Sequence, residues 1–273
     1  MFYHRADLNQ DPALKQNNGE SIQLGSGVTY QNGKPVKAAG EQRTIVEHNL
    51  FEDIGESQEM ISNKTRKNVF RYNTFRKNRD RLVLRIGTHA QVYENWFLET
   101  EGLRIHESGH DIHDNYMENV SGSAFLLPIG KEGYDSDGNP CLHWPANQVS
   151  ITRNTVVGTS APVVVIGSPN GSGGKCTYDQ TPAGGVYTDN LFVDFATSAF
   201  VQTGTASQTY SGNIAWPKPA KASSTGVTFQ DPQLEKNALG YRVSKTFPER
   251  GATLHCRALT VADVGPSSTF SCD

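Results

Sequence analysis

The residues best suited to chemistry are a short series of cations beside one carboxylate. Arg85 and Arg104 lie in nearly identical apolar frames, Leu-Arg-Ile in both cases. In a strand the flanking apolar side chains point to one side and the arginine points to the other. Lys64 comes 21 residues before Arg85, and Glu59 comes just before Lys64. Such a line of cations suits the binding of an acidic polymer. The alternative is an exposed salt-bridge ladder, which adds little stability.

Three histidines and a tyrosine are further candidates for this surface. His89, His106 and His110 are expected near the same sheet edges as the cations. Tyr134 belongs to a long polar loop, residues 127–148, and we expect Tyr134 or His110 to line a binding cleft. These four residues are predicted to contact the ligand together with Arg104 and Glu59, although a lone histidine on a polar sheet is more often simply solvated.

A repeat reveals the elements that must position these residues. The pattern is an apolar residue, two mostly polar residues, asparagine, a variable residue and another apolar residue. The asparagines are Asn49, Asn73, Asn95, Asn115, Asn154, Asn190 and, in a weaker copy, Asn213. They are separated by 24, 22, 20, 39, 36 and 23 residues. Each long gap therefore spans either two repeats or one repeat with an insertion.

A period near 22 residues with short strands predicts a solenoid. Leucine-rich repeats need several leucines per turn, which this chain lacks. An all-β, right-handed parallel β-helix fits better, with about three short strands per coil and inward residues stacked roughly 4.8 Å apart. Asparagine tolerates the left-handed backbone at a turn, and its amide can bond to the asparagine one coil away. We therefore predict a structural role for these asparagines.

The repeat also places the cations relative to one another. Lys64 precedes the asparagine of its coil by nine residues, Arg85 by ten and Arg104 by eleven. We expect the three side chains at similar angular positions on successive coils, sharing one face with Glu59.

Composition excludes several classes of protein. The chain has 273 residues, 25 basic and 28 acidic, with a net charge of −3, so binding of nucleic acid by phosphate neutralisation is excluded. No apolar stretch approaches the roughly 20 residues of a membrane helix, and we expect a soluble chain with no membrane partner. A hydrophobic fraction of 36% with 26 glycines favours many short strands over a helical bundle.

Four cysteines, Cys141, Cys176, Cys256 and Cys272, lack the close pairs of a zinc site. They indicate either two disulfides in a secreted protein or four buried thiols. The simplest pairing joins Cys141 to Cys176 and Cys256 to Cys272, and we expect a secreted or periplasmic location.

Several motifs, in order and spacing, resemble polysaccharide lyase family six, which contains alginate lyases and chondroitinase B. Residues 18–25 read NGESIQLG, 59–65 read EMISNKT, 84–87 read LRIG and 102–105 read GLRI. The resemblance implies a right-handed parallel β-helix, with Lys64 as Brønsted base and Arg85 as acid. The implied reaction is β-elimination on a uronic-acid polymer, most simply alginate. The alternatives are a dermatan-sulfate lyase and a non-catalytic β-helix that binds acidic polysaccharide.

The resemblance also implies a calcium site, from which this chain departs. Ser26 and Ser57 stand where the family often has an asparagine and a carboxylate, and Ile86 replaces a histidine after the arginine. Glu59 is the one clear ligand, with Glu56 as a weak second, whereas calcium takes six to eight oxygens. We therefore expect no cofactor, with Arg104 and Lys64 neutralising the substrate carboxylate.

The domain organisation is expected to be simple. We predict a catalytic β-helix over residues 1–215 and a C-terminal coil and cap over residues 216–273, with the tail packed over the last coil. Family members carry more coils before the GESI segment. We therefore expect a shortened N-terminal end, exposed or covered by self-association or by a partner.

Overall fold

The computed structural model describes residues 2–3, 20–37, 40–55, 59–169, 175–219, 225–266 and 268–272. Its strands, numbered in chain order, form three parallel sheets in this part of the chain. Sheet I contains β2 (Ile22–Leu24), β7 (Glu59–Asn63), β10 (Arg81–Leu84), β13 (Leu103–Ile105), β16 (Phe125–Pro128), β19 (Val164–Ser168) and β22 (Phe200–Gln202). Sheet II contains β5 (Ile45–Glu47), β8 (Val69–Arg71), β11 (Gln91–Tyr93), β14 (Asp111–His113), β17 (Ser150–Thr152), β20 (Val186–Thr188) and β23 (Thr209–Ser211).

Sheet III contains β1 (Phe2–Tyr3), β6 (Leu50–Glu52), β9 (Thr74–Arg76), β12 (Trp96–Leu98), β15 (Tyr116–Val120), β18 (Thr155–Thr159), β21 (Leu191–Phe195), β24 (Asn213–Trp216) and β25 (Val227–Phe229). Antiparallel hairpins join β3 (Val28–Gln31) to β4 (Lys34–Lys37) and β26 (Leu234–Lys236) to β27 (Arg242–Ser244). A 3₁₀ helix spans Val261–Asp263.

The chain passes through sheets I, II and III in turn on each coil, and the strands of these three sheets pair in parallel with their counterparts one coil away. This arrangement confirms the predicted parallel β-helix. The described residues include no helix of the length and apolarity that crossing a bilayer requires.

The core consists of columns of apolar side chains stacked along the axis. In sheet III, Phe51 pairs with Phe75 and Phe75 with Phe97, and the ring centroids lie 4.9 and 4.6 Å apart. All three rings are fully buried. A parallel, in-register solenoid places like residues on top of one another. The repeated apolar positions of the sequence therefore become continuous columns, whose burial is the main favourable term in folding.

A continuous hydrogen-bonded ladder of asparagines connects the coils at the turn between sheets II and III. Each Nδ2 donates to the Oδ1 of the asparagine on the next coil at 2.9–3.2 Å, from Asn49 to Asn213. The same Oδ1 also accepts the backbone N–H of the asparagine before it. From Asn73 onward, Nδ2 also donates to a backbone carbonyl of the preceding coil. The predicted structural role is confirmed.

The prediction that these asparagines adopt the left-handed backbone conformation was wrong. The residue before each asparagine does so, with φ between 48° and 63°. These residues are His48, Tyr72, Glu94, Asp114, Arg153, Asp189 and Gly212. A left-handed conformation costs energy for a side chain with Cβ, and it persists only where the surroundings impose it. Here the ladder imposes it, because the turn must aim the next asparagine inward.

The two long gaps in the repeat are insertions. Asn115 bonds directly to Asn154, and Asn154 bonds directly to Asn190, so each gap spans one coil. The described extra residues lie in the turn between sheets I and II, over residues 129–149 and over residues 169 and 175–185. We call these the first and second insertions.

The cysteines form the two predicted disulfides. Cys141–Cys176 joins the first insertion to the second, and Cys256–Cys272 closes a loop in the C-terminal tail.

The tail runs back along the outside of the solenoid and does not pack over the last coil, which corrects the prediction. Ala252 N–H donates to Thr155 Oγ1, and Leu259 N–H donates to Thr74 Oγ1 three coils closer to the N-terminal end. Between them, Trp96 Nε1–H donates to the carbonyl of Cys256. The tail follows the row of polar groups that the asparagine turn presents on successive coils.

Replacing a ladder asparagine in the middle of the solenoid should be costly. Asn115→Ala removes the acceptor of the Asn95 N–H and amide and leaves the carbonyls of Val92 and His113 without that donor, all in a buried region. We expect a loss of about 3 kcal/mol in the free energy of unfolding, measured by urea denaturation. Asn49→Ala at the half-buried end of the ladder should cost about 1 kcal/mol. Equal losses at both positions would contradict this account.

Candidate active site

Sheet I brings the predicted cations together on its outer face. Asn63 pairs with Leu84 and Leu84 with Ile105, so Lys64, Arg85 and His106 are equivalent residues that follow successive strands. Arg104 pairs with Val83, two positions before Arg85. The line of cations is therefore slanted across the coils, whereas the sequence predicted a straight one. Because side chains alternate with period two, Arg104 still lies on the same face as Arg85.

Glu59 is the centre of this cluster. Arg85 Nη1 lies 3.2 Å from Glu59 Oε1, Arg104 Nη2 donates to the same oxygen, and Ser62 Oγ donates to Oε2 at 2.5 Å. Burial opposes ionisation of Glu59, but Arg85, Ser62 and Arg104 together hold its pKa below the usual value. One carboxylate is shared by two guanidinium groups, so the trio keeps a net positive charge toward the cleft.

Lys64 is held beside this trio with its amine directed at strand β2. Its Nζ donates to Gln23 Oε1 at 2.5 Å, and its backbone N–H donates to the Leu24 carbonyl at 2.8 Å. Burial, followed by repulsion from Arg85, lowers the pKa of Lys64 below the usual value for lysine. A lysine with a lowered pKa supplies more of the neutral amine, which is the form that acts as a base.

A glycine permits the close packing of the coils at this point. Gly87 lies two residues after Arg85, and a Cβ there would overlap the Thr65 carbonyl on the preceding coil. The LRIG motif therefore requires glycine where the segment after Arg85 packs against the segment after Lys64. This close approach brings the two functional side chains to adjacent coils.

The structure adds His143 and Tyr178, which sequence reasoning missed. Arg85 Nε–H donates to His143 Nε2 at 3.2 Å, which leaves the ring proton of a neutral His143 on Nδ1. His143 stacks on His106 with a centroid distance of 4.5 Å and on Tyr178 at 5.8 Å. Burial, followed by Arg85 and Arg104, lowers the pKa of His143 to about 4, so the ring is neutral at neutral pH. The signal available in the sequence was the interruption of the repeat by two cysteine-containing insertions.

His106 and His110 were expected to contact the ligand, but both are buried. His106 lies beneath His143, and burial holds its pKa well below the usual value. His110 accepts the Ala90 N–H at Nδ1 and donates from Nε2 to the His106 carbonyl, so it completes a turn. Neither ring has a surface for a ligand, and both support the cleft from below.

His89 and Tyr134 lie apart from the cluster. His89 is exposed and lines a groove of about 430 Å³ on sheet II, together with Ile45 and Val69. Tyr134 is 59% exposed in the first insertion, where its backbone bridges Pro140. The structure therefore brings together Lys64, Arg85, Arg104 and Glu59 from the predicted set.

A buried ion pair joins the β3–β4 hairpin to the solenoid. Lys37, at the end of the β3–β4 hairpin, bonds to Glu107, and its Nζ lies 3.5 Å from the ring centroid of Trp144. Burial lowers the pKa of Lys37 to about 8 and raises the pKa of Glu107 to about 7. The Lys37 contacts thus connect the hairpin to Glu107 and to the first insertion, which contains Trp144.

The donor set in the described residues does not fit a resident calcium ion at Glu59. Its carboxylate is bound by two guanidinium groups and a hydroxyl, and no group of three or more His, Cys, Asp or Glu side chains comes together as metal ligands in this part of the chain. Glu56 and Ser57 lie outside the described residues. Ser26, at the position of the expected asparagine, donates its hydroxyl to the Val28 carbonyl.

The fold is similar to those of alginate lyases of polysaccharide lyase family 6. A mutant of the alginate lyase AlyGC superposes with a TM-score of 0.76 at 22% identity, covering 93% of this chain and 34% of that chain. A mannuronic-acid-specific lyase from the human gut microbiota gives 0.59 at 24% identity, covering 71% of this chain and 46% of that one. An alginate lyase in complex with a trisaccharide gives 0.61 at 18% identity, covering 81% and 52%. The chain thus spans about a third of AlyGC, and at these identities the likeness shows the fold.

Sequence comparison supplies the family. No curated protein sequence matches the chain significantly. A family model described as Chondroitinase B matches residues 2–168, more than half of the chain, and this region contains Glu59, Lys64, Arg85 and Arg104. The chain therefore belongs to the chondroitinase B family of polysaccharide lyases, polysaccharide lyase family 6.

Proposed function

We propose that the protein cleaves a uronic-acid polymer, alginate, by β-elimination. The observation that supports this most directly is the pairing of a buried Lys64, whose pKa is lowered, with Arg85 at the equivalent position one coil away. A base and a fixed cation one coil apart can reach two adjacent carbons of one sugar ring. The AlyGC and gut lyases act on alginate or mannuronic acid, which favours alginate as the substrate here.

In the proposed reaction, neutral Lys64 removes the proton from C5, next to the substrate carboxylate. The C–H electron pair forms the C4–C5 double bond, and the C4–O4 bond breaks with its electrons leaving on O4. Arginine side chains are poor proton donors. Arg85 therefore stabilises the charge on O4, while water or a tyrosine hydroxyl supplies the proton. Stabilising charge where it develops in the transition state is the larger part of such catalysis.

The substrate carboxylate must also be neutralised, because proton removal at C5 delocalises negative charge onto it. The Glu59, Arg85 and Arg104 trio retains one net positive charge, and we assign Arg104 and Glu59 to positioning the uronate. The cluster of fixed cations then performs the task that a metal performs elsewhere. We therefore propose that the enzyme needs no calcium.

The two disulfides support a secreted or periplasmic location, since disulfides persist in oxidising compartments. The proposed partner is an extracellular anionic polysaccharide. Solved relatives of this fold hold oligosaccharides, as in the trisaccharide complex, which fits a polymer lying across the coils.

Lys64→Gln should lower turnover of alginate by at least about 100-fold, because loss of a general base costs two to four orders of magnitude. The measurement is the ultraviolet absorbance of the unsaturated product. Lys67→Gln is the matched control, since Lys67 is an exposed lysine paired with Glu41. Retained turnover in the Lys64 variant would exclude it as the base.

If alginate, polymannuronate, polyguluronate and dermatan sulfate all give no product with the native enzyme while alginate still binds, the protein is a binding module.

The pH dependence of kcat/KM should respond to Glu20, whose negative charge raises the pKa of Lys64 against the dominant effect of burial. In Glu20→Gln the ammonium loses this support, so the pKa of Lys64 falls and the neutral base appears at lower pH. The rising limb of the profile should move to lower pH. The control is Glu99→Gln, at an exposed residue just after β12, which should leave the rising limb of the profile unchanged. A shift to higher pH in the Glu20 variant would refute the assignment.

Chelation tests the role of the cations. Activity should be unchanged by excess EDTA and by added calcium, because Arg85 and Arg104 already occupy the Glu59 carboxylate. The check is the initial rate of product formation after dialysis against EDTA. Loss of activity that calcium restores would show that a metal, and not the guanidinium pair, neutralises the substrate.

A further inference from the structure

The two insertions lie next to the active site because of where they leave the solenoid. Lys64, Arg85 and His106 each begin the turn from sheet I to sheet II, which is five or six residues long on their coils. On the next two coils the same turn expands into the first insertion, residues 129–149, and the second insertion, of which residues 169 and 175–185 are described. The insertions therefore begin on the two coils that follow His106, and the first contacts Arg85 through His143.

Each insertion carries one aromatic ring of the site close to its cysteine. His143 comes two residues after Cys141, and Tyr178 comes two residues after Cys176. The disulfide thus connects the segments that carry the two rings, and the rings stack on each other. His143 is enclosed between His106 on one side and Tyr178 on the other, while its Nε2 accepts from Arg85.

The first insertion is anchored to the solenoid without the disulfide. The Trp144 carbonyl accepts the Glu107 N–H at 3.1 Å, and the Asn147 carbonyl accepts the Gly109 N–H at 2.9 Å. The second insertion is attached to the first on both sides of Tyr178. After Tyr178, Asp179 and Gln180 donate backbone N–H groups to the Gly130 carbonyl, and Gly130 N–H donates to the Gln180 carbonyl. Before Tyr178, the ion pair Lys175–Asp137 is largely exposed and holds little, so the disulfide at Cys176 is the main restraint on that side.

We propose that the Cys141–Cys176 disulfide is a positioning element for the reaction: it holds Tyr178 over His143, and the enclosed His143 orients the Arg85 guanidinium. Enclosure matters because it keeps the His143 ring neutral. A neutral ring accepts the Arg85 N–H, whereas a solvated and protonated ring would repel the guanidinium. This inference rests on the proposed lyase function for its kinetic part, and on the geometry alone for the position of His143.

The experiment compares Cys141→Ser/Cys176→Ser with Cys256→Ser/Cys272→Ser, in which the tail disulfide is removed and the insertions are untouched. The first readout is the titration of the His143 ring by NMR. It should titrate near pH 4 in the native protein and in the tail variant, and at higher pH, toward the ordinary histidine value, in the insertion variant, where burial is reduced while Arg85 and Arg104 still lower the pKa. Tyr178→Ala, which keeps both disulfides, should reproduce the shift. An unchanged His143 titration in the insertion variant would overturn the proposal.

The second readout is kinetic, at a temperature where thermal melts show every variant to be folded. Loss of Arg85 orientation should lower kcat on alginate by about 10- to 100-fold in the insertion variant, since small misplacements at a reacting centre have effects of this size. The tail variant should keep native kcat. Native kcat in the insertion variant would also overturn the proposal. If the native protein yields no unsaturated product from any uronate polymer, the proposed function fails, and the NMR titration still decides the position of His143.

Discussion

The hydrogen-bonded asparagine ladder is the constraint on which the rest of the structure depends. From Asn73 onward, each asparagine accepts a backbone N–H and donates to a backbone carbonyl of the preceding coil, so a coil out of register would leave buried polar groups unpaired. Unpaired buried groups cost more than a made hydrogen bond returns. The ladder therefore fixes both the rotation of each coil relative to its neighbours and the spacing between coils. The apolar column of Phe51, Phe75 and Phe97 follows from this register.

That register also builds the site. Fixing the asparagine turn fixes where each strand of sheet I ends, and the residue after each end begins the next turn. Lys64 and Arg85 occupy this position on adjacent coils, about 4.8 Å apart along the axis. The same position on the following coil is His106, and on the next two coils the turn expands into insertions. A uniform scaffold thus places the proposed base Lys64, the cation Arg85, the buried His106 and the two insertions in sequence along one line.

The sequence predicted the parts of the molecule that depend on periodicity. The β-helix, the asparagine ladder and the shared face of Lys64 and Arg85 follow from spacing, and the motifs identified the same residues. His106 shows the limit of this reasoning. Alternation along β13 correctly directs its side chain outward, but His143 from an insertion covers it. The path of an insertion depends on contacts between distant segments, here Cys141 with Cys176, and a repeat carries no information about it.

The electrostatics explain why a carboxylate, Glu59, belongs in a site proposed to bind an anion. Without it, Arg85 and Arg104 would repel each other and Lys64, and their side chains would spread into solvent. With it, two guanidinium groups converge on one carboxylate, and the cost of burying that carboxylate is offset by two charge-assisted hydrogen bonds. The remaining net positive charge is held in a fixed position beside Lys64. Burial, followed by repulsion from Arg85, lowers the pKa of Lys64. The same pair of arginines thus holds the carboxylate, and Arg85 also lowers the pKa of Lys64, the proposed base.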